Sequence, residues 1–190
     1  MQCEVRNGSV FISGYVNAVE RESEFIPSAK GRFKEIIKTG AFKKALQRAS
    51  DIRLLFNHDD DKKLGSISEG NLKLFEDSIG LKAETEISDA AIIERAKSQG
   101  FSGWSFGFMP IKQRFEQGKD GIERRFIEDL DLIEVSLLSV KPAYPATSVE
   151  IRTDGILERR YTDLEIQTSN SIDFSRYENE IKLLNLKGFL

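Results

Sequence analysis

The 190-residue chain has one histidine, His58, in the stretch "LLFNHDDDKKLGSI". Imidazole is the side chain whose ordinary pKa makes it a base near neutral pH, so any serine–histidine chemistry here must run through His58. A serine in a suitable setting lies downstream. In "GFSGWSFGF", Gly100 to Phe108, the residues Gly103-Trp104-Ser105-Phe106-Gly107 fit G-x-S-x-G, a pattern that often presents a nucleophilic serine on a sharp turn. A serine hydroxyl is a weak nucleophile without a base in hydrogen-bond reach. Flanking glycines would let a substrate and backbone N–H donors approach it closely. The same residues also describe a strand bend in which glycines relieve crowding around Trp104, Phe106 and Phe108, and the pattern alone does not separate the two readings.

Order along the chain narrows the chemistry. The α/β-hydrolase elbow runs strand, turn, helix, with the histidine after the serine. Here Pro110 and a β-rich stretch follow the serine, and the histidine precedes it. A chymotrypsin-type enzyme has the histidine first but needs two barrels, more than a chain of this length supplies comfortably. His58 sits where an apolar strand meets a polar loop, a place that can hold a base rigidly yet leave it open to a cleft. The alternatives are a solvated loop histidine, or a metal site built from Asn57, Asp59, Asp60 and Asp61. Contiguous carboxylates rarely converge on one ion, and the calcium-loop pattern is absent. Cys3 is the only cysteine. It can form no internal disulfide, and it is poorly placed to serve as a rigid nucleophile.

The elements that must position these residues read mainly as strands. "VFISGYV" is a strand with a bend or bulge at its glycine. "EFIPSAKGRFKEIIKTG" reads as polar and partly irregular. "GAFKKALQRAS" places Phe42, Ala45, Leu46 and Ala49 on one face of a short amphipathic helix. Ile52 to Phe56 is a strand running into an acidic loop, and Asn71 to Ile87 a hairpin turning at Asp77 to Gly80. Ser88 reads as the N-cap of a helix over "DAAIIERAKSQG", with Gly100 as its stop. Asp120-Gly121 marks a second hairpin turn, followed by the long β-rich segment "RFIEDLDLIEVSLLSV". The expected fold is mainly β with helices (α+β), a single closed or nearly closed β-barrel with helices packed outside. Composition turns polar after Arg152. Residues 1–152 are the expected barrel domain, and residues 153–190 an appendage with a short terminal helix.

Hydrophobic residues make up 39% and charged residues 31% of the chain, as in a soluble globular protein. A net charge of −3 gives no long-range pull toward nucleic acid. No stretch approaches the apolar length that spans a bilayer, and the first residues do not read as a signal peptide. The expectation is a protein made in the cytoplasm, with no nucleic-acid or membrane partner and no cofactor.

Taken in order, "LLFNHDDDKKLGSI", "GFSGWSFGFMP" and "LIEVSLLSVKPAYPATSVEIR" resemble, segment by segment, the prohead maturation proteases of tailed bacteriophages. The upstream "GYV", "EII" and "GAF" segments resemble that family's N-terminal part. The resemblance spans roughly residues 10–152. The family is similar in fold to the herpesvirus assemblins, which implies a single β-barrel surrounded by helices. It implies an endopeptidase that cleaves capsid-assembly proteins during head maturation: a scaffolding protein or the propiece of the major capsid protein, and the protease itself. The setting would be the assembling prohead in the host bacterial cytoplasm. Carried over by position, His58 is the general base and Ser105, in Ser105-Phe106-Gly107, the nucleophile. Assemblins use a second histidine as third member, which this chain lacks. An acidic residue is expected instead, and Glu134 is the choice, with Asp131 and Asp129 behind it and an arginine-paired structural carboxylate as its alternative. Ser102 fits Ser-x-Gly less well and reads as structural. Backbone N–H groups near Phe106 and Gly107 are candidate oxyanion donors. The assemblin likeness also raises a homodimer as the active form. A capsid-binding or scaffolding module without activity, and a metal-dependent hydrolase using the acidic run, are the competing functions. The tail reads either as a self-cleavage or docking segment or as a helix covering the barrel.

Overall fold

Two long strands carry the centre of the fold. In the computed structural model, which describes residues 1–28, 31–139, 149–152 and 155–162, fourteen elements are defined. They are β1 (Gln2–Arg6), β2 (Ser9–Ala18), β3 (Ile26–Ser28), β4 (Gly31–Ile37), α1 (Ala41–Arg48), β5 (Arg53–Phe56), β6 (Asp59–Ser66), β7 (Leu72–Glu76), β8 (Gly80–Ile87), α2 (Ala90–Ser98), β9 (Gly103–Gln117), β10 (Glu123–Leu138), β11 (Val149–Arg152) and β12 (Gly155–Thr162). β9 and β10 form a hairpin whose turn contains the Asp120-Gly121 pair, with Gly121 at φ 78°, the left-handed conformation that favours glycine.

β10 has two neighbours along its other edge. Its first half, from Glu123 to Ile127, pairs in parallel with β4, and Glu134 to Leu137 pair in parallel with β5. α1 bridges the stretch between them. Phe42 and Ala45 of α1 are buried, Leu46 and Ala49 pack beside them, and the Phe42 ring meets Phe106 edge-on at 5.4 Å between centroids. Such aromatic pairs add about 0.5–1.5 kcal/mol beyond the area they bury.

The fold is mainly β with two helices, as expected, but no closed barrel forms among the described residues. The strands divide between a four-stranded sheet, β1-β2-β8-β7, and an eight-stranded one, β11-β12-β9-β10-β4-β3 with β5 and β6 attached at β10. The two sheets share one core, in which Val10, Ile12, Leu81, Trp104, Phe106 and Leu137 are buried. Alternating apolar residues identify strands but not which edges join, and closure depends only on the edges.

Local expectations fared unevenly. The bulge near Gly14 is present, between Tyr15 and Asn17. Gly14 is needed there, because a Cβ would lie 2.9 Å from the Trp104 indole nitrogen. The helix after Ile87 is capped by Asp89, whose carboxylate accepts from Ile92 N at 2.9 Å, and not by Ser88. The segment read as irregular contains β3 and β4, with Ile26, Phe33, Ile36 and Ile37 buried. The acidic loop after Phe56 is a two-residue turn followed by strand β6. Asp59 pairs with Phe56, and the chain then bulges over residues 60–62 before Lys63 meets Leu55. The start of β6 escaped notice because it buries nothing and shows no apolar alternation. β12 continues the sheet beyond the expected boundary at residue 152, pairing with β9 from Trp104 to Phe108. The expected terminal helix lies outside the described residues.

Candidate active site

Strand register places the site. Ser105 on β9 stands opposite Ser136 on β10, and Gly107 opposite Glu134. Paired residues on adjacent antiparallel strands share a face. Ser105, Gly107, Glu134 and Ser136 therefore lie on one face, while Phe106, Phe108, Val135 and Leu137 point into the core on the other.

A β-bulge makes this possible. Leu132 pairs with Phe108 and Glu134 with Gly107, so Ile133 is an extra residue on β10. Without it Leu132 and Glu134 would share a face, since strand side chains alternate. With it, Leu132 goes to the core and Glu134 to the site. The sequence carried this signal: in "LDLIEVSLL" the apolar parity runs Leu130, Leu132 and then Val135, Leu137, slipping by one.

His58 arrives from the turn between β5 and β6. Asn57 and His58 are the two connecting residues, with φ of 55° and 59°. Positive φ at both positions is the signature of the type I′ hairpin turn, and asparagine and histidine tolerate it better than most residues. The turn is pinned to the end of β10. Asn57 N donates to Leu137 O at 2.9 Å, Asn57 Nδ2 donates to Ser139 Oγ at 2.9 Å, and Ser139 N donates to Asn57 Oδ1 at 2.8 Å.

The imidazole thus spans the gap between the two strands. His58 Nδ1 lies 2.7 Å from Glu134 Oε1, and His58 Nε2 lies 2.6 Å from Ser105 Oγ. Glu134 is fully buried and Ser105 nearly so. The second carboxylate oxygen of Glu134, Oε2, accepts from Ser136 Oγ at 2.7 Å. An ionised carboxylate only accepts, so the proton in the His58–Glu134 bond belongs on Nδ1. That leaves Nε2 as an acceptor facing the serine hydroxyl. A serine whose proton can pass to an imidazole held by a buried carboxylate is equipped for acyl transfer.

The family model for caudovirus prohead serine proteases matches residues 1–160. The chain belongs to this family. No curated protein and no solved structure gives a significant match. Members of the family are serine peptidases of phage capsid maturation, which act in the assembling head on capsid proteins.

Within this prohead protease the three expected site residues come together, and the rivals are engaged elsewhere. Asp129 and Asp131 accept from Arg48 Nη2 of α1 at 2.7 and 3.3 Å. Ser102 Oγ donates to Leu138 O at 3.0 Å. Asp59 pairs with Lys62 at 2.9 Å and Asp60 with Arg53 at 2.7 Å. Among the described residues no three His, Cys, Asp or Glu side chains form a group that could hold a metal ion. Cys3 is exposed on β1. Phe106 and Gly107, expected to offer oxyanion donors, lie between two paired strands, β10 and β12.

Gly107 has a task within the site. A Cβ on it would lie 2.5 Å from Glu134 Oε1. The glycine leaves room for the carboxylate.

Sequence reading missed Ser136 and β12. Ser105 Oγ lies 2.7 Å from the Arg160 carbonyl, and Arg159 Nε lies 3.5 Å from Glu134 Oε1. Glu134 thus has both the histidine and an arginine beside it. β12 is fastened by four buried charges. Arg125 of β10 donates to Glu158 at 2.5 and 2.6 Å and to Glu35 of β4 at 3.0 Å. Arg160 donates to Glu35 at 2.7 and 2.9 Å and also binds Glu158. Burial alone would raise the Glu158 pKa, but the Arg125 and Arg160 guanidiniums outweigh it and hold the carboxyl below its usual range.

Proposed function

We propose that Ser105 is the nucleophile, His58 the general base and Glu134 the residue that orients and stabilises the imidazole. The unbroken chain Glu134–His58–Ser105, with contacts of 2.7 and 2.6 Å, carries this reading. Ser105 gives its proton to His58 Nε2 as Oγ bonds to the peptide carbonyl carbon. His58 then gives that proton to the leaving amine as the C–N bond breaks, and the resulting ester is hydrolysed by water with His58 again as base.

The substrates on this reading are capsid-assembly proteins, a scaffolding protein or a capsid-protein propiece, together with the protease itself. Self-processing rests on the family resemblance. The protease unit would run through β12, because β12 is paired into the central sheet, with residues 163–190 as the appendage. A herpesvirus-protease-like barrel completed by further pairing, a homodimeric active form and the host cytoplasm remain parts of this proposal that rest on the resemblance.

A fluorophosphonate probe tests it. The parent protein should form a covalent adduct at Ser105, and Ser105→Ala and His58→Ala should abolish both the adduct and cleavage of co-expressed capsid protein. Losses on the order of 10⁴ or more are expected for members of such a unit. Cleavage that persists in Ser105→Ala overturns the assignment. A folded parent that never labels supports the non-catalytic capsid-binding reading instead.

A further inference from the structure

We propose that Ser136 is a positioning residue of the site, tying the backbone of the base to the carboxylate that orients its ring. This rests on the assignment of His58 and Glu134 above. Ser136 is fully buried on β10, two residues after Glu134 on the same face and directly opposite Ser105. A hydroxyl has one proton and two lone pairs. The proton of Ser136 goes to Glu134 Oε2 at 2.7 Å, and Ser136 Oγ accepts the His58 backbone N–H at 3.2 Å. One side chain therefore holds His58 at its main chain and, through Glu134, at Nδ1.

Both ends need holding. His58 sits at φ 59°, a conformation that is unfavourable for a residue with a side chain and persists only where its surroundings enforce it. Without Ser136, the His58 N–H would lose its partner and Glu134 Oε2 would lose its donor. The carboxylate could then rotate, and the imidazole with it. A misplacement of about 1 Å in such an array can cost on the order of 10²-fold in rate.

The test uses the full chain and an isosteric pair, Ser136→Thr and Ser136→Val, with Ser136→Ala beside them. Threonine keeps the hydroxyl, whereas valine has nearly the same shape without it. Cleavage of a capsid-protein substrate is followed at limiting and saturating concentrations. The expected result is kcat lower by about 10- to 100-fold in Val and Ala, with KM little changed. Thr should stay near the parent in both. Equal kcat for Thr and Val overturns the proposal, even if Ala fails to fold. Failure of the underlying assignment shows separately, as absence of Ser105 labelling in the parent.

Discussion

Replacing Gly107 by alanine should disable the site while leaving the fold intact. The added Cβ would lie 2.5 Å from Glu134 Oε1 and 3.2 Å from Cδ and Cγ. Carbon–oxygen contacts settle near 3.3 Å or more, so Oε1 must withdraw by about 0.8 Å, given how little slack packed interiors have. Oε1 is the atom bonded to His58 Nδ1 at 2.7 Å, and Oε2 is held by Ser136 at 2.7 Å. Any rotation that relieves the clash lengthens one bond or both toward 3.5 Å, where little of a hydrogen bond remains. A shift of this size corresponds to about 10²-fold in rate, and complete loss of the carboxylate's role to about 10⁴-fold. The predicted loss in kcat lies between those limits. Stability should fall by at most about 2.5 kcal/mol, because alanine in a strand gains about 0.5–1 kcal/mol over glycine, against about 1–3 kcal/mol for crowding. Steady-state cleavage and a thermal melt of the same preparation give both numbers. The sharper measurement is a double-mutant cycle with Glu134→Ala. If Gly107 acts by sparing room for Glu134, adding Gly107→Ala to Glu134→Ala should cost nothing more. An additive loss, or a Gly107→Ala enzyme within threefold of the parent, would refute the reasoning.

Three further outcomes are expected. Glu35→Ala leaves Arg160 and Arg125 short of a buried partner and should destabilise the protein by about 3–5 kcal/mol, read by denaturant unfolding; a change below 1 kcal/mol would mean the four charges do not hold β12. Glu158 has a folded pKa below the ordinary 4.5, so its contribution is present above that value and is lost as pH falls through the lowered one. The melting temperature should therefore drop on acidification below about pH 4.5, and the drop should be shallower in Glu158→Gln, on the linkage between proton uptake and unfolding. Phe42→Ala should cost about 3–5 kcal/mol by opening a cavity beside Phe106, with Ser105 labelling kept wherever the protein remains folded.

The fold was legible where periodicity decides it and hidden where pairing decides it. The β7–β8 hairpin, α1 and the β9–β10 turn follow from alternation, helical spacing and turn residues. Closure into a barrel did not, because no residue in an edge strand announces its neighbour. β3 and β12 are short or mostly polar and gain their places from partners remote in sequence. At the site, His58 was conspicuous as the only imidazole, and Ser105 through its glycines. Glu134 needed the resemblance, although the slip in apolar parity around Ile133 is a physical mark that could have separated it from Asp129 and Asp131. Ser136 gave no signal at all. A buried serine beside a carboxylate looks like any strand serine until the register is known.

The site also depends on a strand that the polar composition seemed to set apart. Ser105 has one hydroxyl proton and two acceptors in reach, His58 Nε2 at 2.6 Å and the Arg160 carbonyl at 2.7 Å. Only the first makes a nucleophile, since a proton held by a carbonyl is not being removed. The balance between them is set by where β12 lies, and β12 is fixed by the Glu35, Arg125, Glu158 and Arg160 network. Those charges sit away from the imidazole, yet they govern the strand whose main chain competes with it. On the proposed assignment, stability of β12 and reactivity of the serine are coupled through one hydrogen bond. Loosening the network in Glu35→Ala should then alter the rate of probe labelling at Ser105 in the molecules that remain folded. A Glu35→Ala protein that is less stable but labels at the parent rate would show that the carbonyl does not compete.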